Sequence, residues 1–444
     1  VEGGANYDGV CSSADGSYSI GGVVVVGDPT LTIYVNDVAS TYGSVVTKTP
    51  TADITNADIY LNRVIVRHED VSAMTIADMA AYDSSDDSDV RFTAATSTLL
   101  DTLSTVSLTE LYVWASTTFT PDGTVTLNAD SDAAVYDGSL YLAGDATFTG
   151  AGTTTYSIGG SMTQSAGASF VPASTTVVFT ATTTGKTVTA DETVFFNQVQ
   201  FTGAGGGWNL NADLELTSDL LVSAGTVTGT GDITLQSGSF YGNGLVSLGA
   251  GTTTIATTNT LGGTQGWTFN NLTLGNGLVS GTTTPGSIAT TTVGGVLTIE
   301  TAHFLNAGSS AFNLTGAGEV FIENGNLVEG TSTFIYSGTN DMEVLSTDYY
   351  NLVLAAAGGT PTYTATGLGV QVFGDLGVGG AAAATVFTLD TEDPAMNVEG
   401  DLSIAANGTL IASDTGAFTV AGSYDNNGTF TANSGTLTFD GVGA

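Results

Sequence analysis

Asp83, Asp86, Asp87 and Asp89, with only Ser84, Ser85 and Ser88 between them, form the densest run of potential metal ligands in the chain. Carboxylate and hydroxyl oxygens at this density suit Ca2+, a hard cation that takes about six to eight oxygens. The run is not an EF-hand loop, since the loop glycine and the closing glutamate are missing. It is not the glycine-rich nonapeptide Ca2+ repeat either. The leading reading is a solvated acidic loop, with a Ca2+ site at these four aspartates carried as the candidate alternative. No other cofactor is required.

The remaining residues with chemical potential do not assemble into a recognisable reaction site. His68 lies in the mixed-charge segment Arg67-His68-Glu69-Asp70, and His303 lies between Ala302 and Phe304, so the first reads as surface and the second as core or edge. No Ser-His-Asp, Cys-His or HExxH arrangement is present. Gly203-Ala204-Gly205-Gly206-Gly207 lacks the lysine and the strand-to-helix setting of a phosphate loop. Asp390, Glu392 and Asp393 could supply an acid and a base for glycoside hydrolysis, but nothing marks one pair. Polysaccharide lyases need a basic residue, and the repeat region holds only Lys186. The chain is expected not to be an enzyme, with a carboxylate-based glycoside hydrolase as the remaining enzymatic alternative. Trp114, Trp208 and Trp267 could stack on sugars or fill a core. The sequons at Asn271, Asn313, Asn407 and Asn427 are not read as glycosylated. Cys11 is the single cysteine, so an intramolecular disulfide is excluded.

Charge narrows the partners. The 444 residues carry 43 Asp and Glu against 5 Lys and Arg, a net charge of -38. Such a chain repels phosphate backbones and anionic membranes, so neither nucleic-acid binding nor membrane insertion is expected. No apolar run is long enough for a transmembrane helix.

The elements that must position these residues are short strands. Charged residues make up 11% and hydrophobic residues 41% of the chain, which also contains 60 glycines. Polar residues, threonine above all, alternate with apolar ones at period two. Thr124-Val125-Thr126-Leu127, Ser139-Leu140-Tyr141-Leu142 and Asp232-Ile233-Thr234-Leu235 show the pattern. The one helical candidate is Met74–Tyr82. Gly, Asn and Asp punctuate the strands.

Internal repeats decide the architecture. One anchor recurs as Phe195-Phe196-Asn197-Gln198-Val199, Phe269-Asn270-Asn271-Leu272-Thr273 and Tyr349-Tyr350-Asn351-Leu352-Val353. A Thr-rich strand precedes each, at Thr175–Phe179, Thr252–Ile255 and Thr331–Tyr336. A Gly-Asp turn recurs at Gly144-Asp145, Gly231-Asp232, Gly374-Asp375 and Gly400-Asp401. A shorter unit runs from Gly160 to Phe179 and again from Gly422 to Phe439, close to one coil of a parallel β-solenoid. The expected fold is all-β: a parallel β-helix over residues 93–444, preceded by an N-terminal cap or small β-rich domain over 1–92. Tandem immunoglobulin-like sandwiches are the alternative. Asn197, Asn271 and Asn351 are expected at equivalent coil positions, at turns of positive φ.

Segments such as Thr182–Val188, Thr268–Leu274 and Asn426–Ala432 resemble repeats of large secreted bacterial surface proteins, similar in style to filamentous-haemagglutinin and autotransporter passengers. The resemblance implies a parallel β-helix and a surface role, and carries over no catalytic residue. The start at Val1 reads as a processed, exported chain whose signal peptide has been removed, placed outside the cell or on its surface. The final segment Thr436–Ala444 reads as the start of another repeat. Together these features lead to the expectation of a structural subunit of an extracellular filament or surface layer, a homo-oligomer joined head to tail through chain ends. A surface adhesin that binds glycans is the alternative.

Overall fold

Alternation at period two governs the strands. Leu111 and Val113 of Glu110–Val113 are buried while Glu110 and Tyr112 are not fully so, and Leu272 and Leu274 of Asn271–Leu274 repeat the pattern. The computed structural model describes residues 6–441 apart from 49–52, 70–71, 98–100, 106–107, 128–136, 151, 191–193 and 287–289. Val1 and the last three residues of the segment Thr436–Ala444, on which two of the expectations above draw, lie outside the described residues. The strands are two to five residues long. Among the described residues the one helix is the single turn Ile76–Met79, inside the expected Met74–Tyr82. Thr75 starts it: its side chain accepts from the Asp78 amide, and the Asp78 carboxylate accepts from the Thr75 amide. The chain divides into two compact units, Val1–Glu215 and Leu216–Ala444.

The first unit is a parallel β-solenoid. One ladder runs through Ser44–Lys48, Arg63–Val66, Glu110–Val113, Ser139–Leu142, Met162–Gln164, Lys186–Thr189 and Gly207–Leu210, parallel at every step. Thr30–Tyr34 adds to its edge antiparallel. A second ladder, through Thr102–Thr105, Thr124–Thr126, Thr155–Ile158, Thr176–Phe179 and Gln198–Phe201, is also parallel. A third joins Thr118–Phe119, Thr147–Thr149 and Ser169–Val171. The inward residues stack on like residues: Phe148 lies 5.5 Å from Phe119 and 5.2 Å from Phe170, centroid to centroid, and Phe179 stacks on Phe201 at 5.0 Å.

The second unit is built the same way. Its longest ladder runs parallel from Thr226–Gly229 to Tyr424–Asn426. Others run through Ile233–Leu235, Thr252–Ile255, Asn271–Leu274, Leu297–Ile299 and Phe321–Glu323, and through Gly318–Glu319, Met342–Leu345, Thr362–Thr366, Thr385–Thr388, Gly408–Ile411 and Thr429–Thr431. Phe312 and Phe334 stack at 5.0 Å. Antiparallel immunoglobulin-like sandwiches are therefore excluded as the architecture.

The Gly-Asp turns work between coils. Asp375 Oδ1 accepts the Asp401 amide at 2.9 Å, and Asp401 Oδ1 accepts the Ser423 amide at 2.7 Å. Asn351 Oδ1 begins this series by accepting the Asp375 amide at 2.9 Å. Asp232 does the same for Thr252 at 2.7 Å. Each carboxylate thus satisfies a corner amide of the next coil, which no strand partner reaches. Glycine is needed above it: a Cβ on Gly400 would lie 2.6 Å from Asp375 Oδ1, and one on Gly422 the same distance from Asp401 Oδ1.

The anchor asparagines depart from expectation. None of Asn197, Asn271 and Asn351 has positive φ. Asn271 and Asn351 open strands, where each side chain donates to a threonine one coil back, Thr252 and Thr333. Gln198, not Asn197, takes that place in the first unit, opposite Thr176. The Thr-rich strands and the anchors are therefore neighbouring rungs. Asn271 and Asn351 also sit in different ladders. The reason is coil length. Phe269, Val293, Leu314, Tyr336 and Leu354 occupy one stacked position. Four coils there take 85 residues (354 minus 269), more than the 80 (351 minus 271) between the two asparagines.

Gly400→Ala should lower stability by about 1–3 kcal/mol through overpacking. Asp375→Ala should cost about 1 kcal/mol, since water can reach the freed amide. Denaturant melts of the two variants test this ordering; equal losses would contradict the close-approach role of Gly400.

Candidate functional site

The outward side of the first unit's longest ladder gathers most of the polar and aromatic chemistry of that unit. Tyr112 and Tyr141 are opposite each other in register, with ring centroids 4.9 Å apart and planes 9° from parallel. Trp114, two residues beyond Tyr112, lies 5.7 Å from it. Tyr60 stacks on Trp114 at 6.3 Å and meets Tyr112 edge-on at 6.1 Å. The Arg63 guanidinium lies 5.4 Å over Tyr60 and that of Arg67 5.5 Å over Trp114. All four rings are half-buried. Because Tyr112 and Tyr141 lie face to face, the stack is first a cross-strand packing device, and ring edges and hydroxyls are what it offers a ligand. Ser165 Oγ donates to the Tyr141 hydroxyl at 2.9 Å.

Ion pairs lie along the same unit: Arg63 with Glu110 at 3.0 Å, Arg67 with Glu69 at 2.6 Å and Lys186 with Asp137 at 3.2 Å. Burial raises the Glu110 carboxyl above its ordinary range; Arg63 opposes this and the Asp137 charge adds to it. Sequence reasoning missed this group. Its members come from strands far apart in the chain, as Arg63 and Glu110 do, and only the register of the ladder joins them.

The four aspartates of the candidate Ca2+ site share one loop, yet their oxygens serve separate protein donors. Asp83 Oδ1 accepts from the Ser85 amide and hydroxyl, and Oδ2 from the Ala94 amide at 2.7 Å. Asp86 Oδ2 accepts the Asp83 amide. Asp87 accepts from the Asp89 amide and the Tyr34 hydroxyl, and Asp89 from the Asp37 amide at 2.6 Å. Among the described residues no group of three or more His, Cys, Asp and Glu is arranged to hold a metal ion.

The other candidates take structural places. Trp208 and Trp267 are core residues, and the Trp267 indole donates to the Gly244 carbonyl at 2.9 Å. Asp393 accepts from the Asp414 amide at 2.6 Å and the Ser413 hydroxyl at 2.9 Å, which lowers its pKa, and Glu392 accepts the Gly367 amide. Gly205 has φ 83°, a corner of the kind glycine favours. His68 Nε2 accepts the Thr118 amide at 3.1 Å. No helix among the described residues is long and apolar enough to cross a membrane.

His303 is fully buried in the second unit. Asn259 Nδ2 donates to Thr283 Oγ1 at 2.8 Å, and Thr283 Oγ1 lies 2.9 Å from His303 Nε2. Thr283 Oγ1 thus links Asn259 to the buried ring.

Comparison with known protein families, with curated proteins and with solved structures finds no match. The class is therefore defined by the ladders themselves: a nearly all-β protein with parallel β-solenoid units.

Burial lowers His303 from its ordinary 6.5. The unfolded chain then binds the proton more readily than the folded one. The stability this residue contributes is complete above the unfolded value and is lost as pH falls through the lowered folded value. Wild type should lose more stability than His303→Asn between about pH 7.5 and about pH 5.5. Parallel pH profiles for the two proteins, read by denaturant melting, would refute the assignment.

Proposed function

We propose that the chain is an exported structural subunit of an extracellular filament or cell-surface layer that self-associates through coil edges. One observation carries the reading: each coil joins the next through the same parts, ladder bonds, stacked inward residues and side-chain caps on corner amides. A contact of that kind can be extended by another copy of the same chain, and a heterologous contact that does not close produces a filament. The likeness in style to secreted bacterial repeat proteins agrees with this role. The test is negative-stain microscopy of the intact chain and of a chain lacking residues 434–444. The intact protein should form particles longer than a single copy, and the shortened one should not. Equal particle lengths would overturn the edge-joining model.

The Tyr60, Tyr112, Trp114 and Tyr141 cluster favours a second reading, a surface adhesin that binds glycans. Under it, Tyr112→Ala should weaken retention on a glycan panel at least tenfold, about 1.4 kcal/mol, the scale of one aromatic contact. Binding unchanged in that variant would exclude this face.

A further inference from the structure

Lys186 and Asp137 form a pair whose surroundings do more than hold two charges together. The Lys186 side chain is 8% exposed, and its Nζ lies 3.2 Å from Asp137 Oδ2. The two residues are not on adjacent rungs. Met162 is opposite both Val188 and Leu140, so Gly160 stands level with Lys186 on one side and with Gly138 on the other. The lysine therefore reaches across an intervening coil, and glycine at 160 makes that reach feasible: a Cβ there would lie 2.5 Å from the Asp137 carbonyl oxygen and 3.0 Å from Asp137 Cγ.

The second carboxylate oxygen is also engaged. Ser139 Oγ donates to Asp137 Oδ1 at 3.1 Å. The Ser161 amide donates to Ser139 Oγ at 2.9 Å, which leaves the serine proton directed at the aspartate. Oδ1 is thus polarised as a carbonyl oxygen would be, while Oδ2 faces the amine. Glu110 stands opposite Ser139 across the ladder, an ionisable neighbour of this group.

From this geometry we infer that Lys186 and Asp137 become joined by an intramolecular amide bond. In the step, Nζ bonds to Asp137 Cγ and the Cγ–Oδ2 bond breaks. The ammonium nitrogen gives up two protons, both of which leave with Oδ2 as water. The reaction is redox-neutral and needs no co-reactant. Ser139 supports it by holding Oδ1, and the nearly buried Lys186 side chain keeps its nitrogen beside Oδ2. Glu110, opposite Ser139 and interacting electrostatically with Asp137, is assigned as a positioning residue for that carboxylate. The cross-link would tie together coils 49 residues apart in sequence.

The test is the intact mass of the purified full-length chain, followed by fragmentation of its peptides. The expected result is a chain one water lighter than its sequence, with a branched peptide joining Lys186 to Asp137. Lys186→Ala and Asp137→Ala should each restore the full mass, and Glu110→Gln should slow the loss of water in freshly made protein. The segment Asp137-Gly138 can also lose water by closing to a cyclic imide on its own backbone. The same closure is open at other Asp-Gly pairs such as Asp122-Gly123, so loss of water without the branched Lys186–Asp137 peptide is that reaction and would overturn the proposal. So would a wild-type mass equal to that of the sequence.

Discussion

Every coil of a parallel solenoid presents its neighbour with a row of backbone donors and acceptors, and the fold depends on satisfying that row at the corners as well as along the strands. Strand ladders take care of the straight segments. At corners the chain turns away from its partner, and an amide left there has no rung to bond. Asn351, Asp375 and Asp401 solve this in succession, each lending a side-chain oxygen to the amide of the next coil. The aspartate does so beneath a residue with no side chain, so Asp375 with Gly400 and Asp401 with Gly422 are each one device spanning two coils rather than a flexible turn beside a surface charge.

This gives the acidic composition a structural use. Asp219, Asp232, Asp341, Asp393 and Asp414 also accept amides of later residues at coil spacing. Each of these carboxylates is fixed in place by the amide it accepts, and the bonds to Asp393 lower its pKa. Part of the net charge of -38 is therefore held at defined corners. Polar groups inside follow the same rule, since Tyr336 and Tyr349 bond to each other at 2.9 Å in the second unit and burial pushes Tyr349 well above the usual phenol range.

The all-β class and the solenoid were legible because alternation and coil spacing are local properties. Ser139–Leu142 is a strand with the bounds its pattern predicts. The Gly-Asp motif was legible as a recurrence but not as a cap, because its acceptor and donor lie a full coil apart. The anchor asparagines misled for a related reason: a positive-φ turn and a strand-opening side chain carry the same residue type, and only the coil above tells them apart. The Asp83 loop shows the limit for sites. Its density of carboxylates was visible, but the donors that occupy them, Tyr34, Asp37 and Ala94, come partly from distant segments. The cluster of Tyr60, Tyr112, Trp114 and Tyr141 is likewise assembled by register alone.

The mismatch between the 80-residue spacing of Asn271 and Asn351 and the 85 residues that four coils occupy at a neighbouring position has a consequence for display. The recurring anchor segment does not return to the same azimuth in the second unit. Copies precess around the axis, so two surfaces that began alike face different directions and contact different surroundings. Their inward residues stay bound to the common packing rule, while their outward residues are free to diverge. Recurrence in such a chain multiplies faces rather than repeating one.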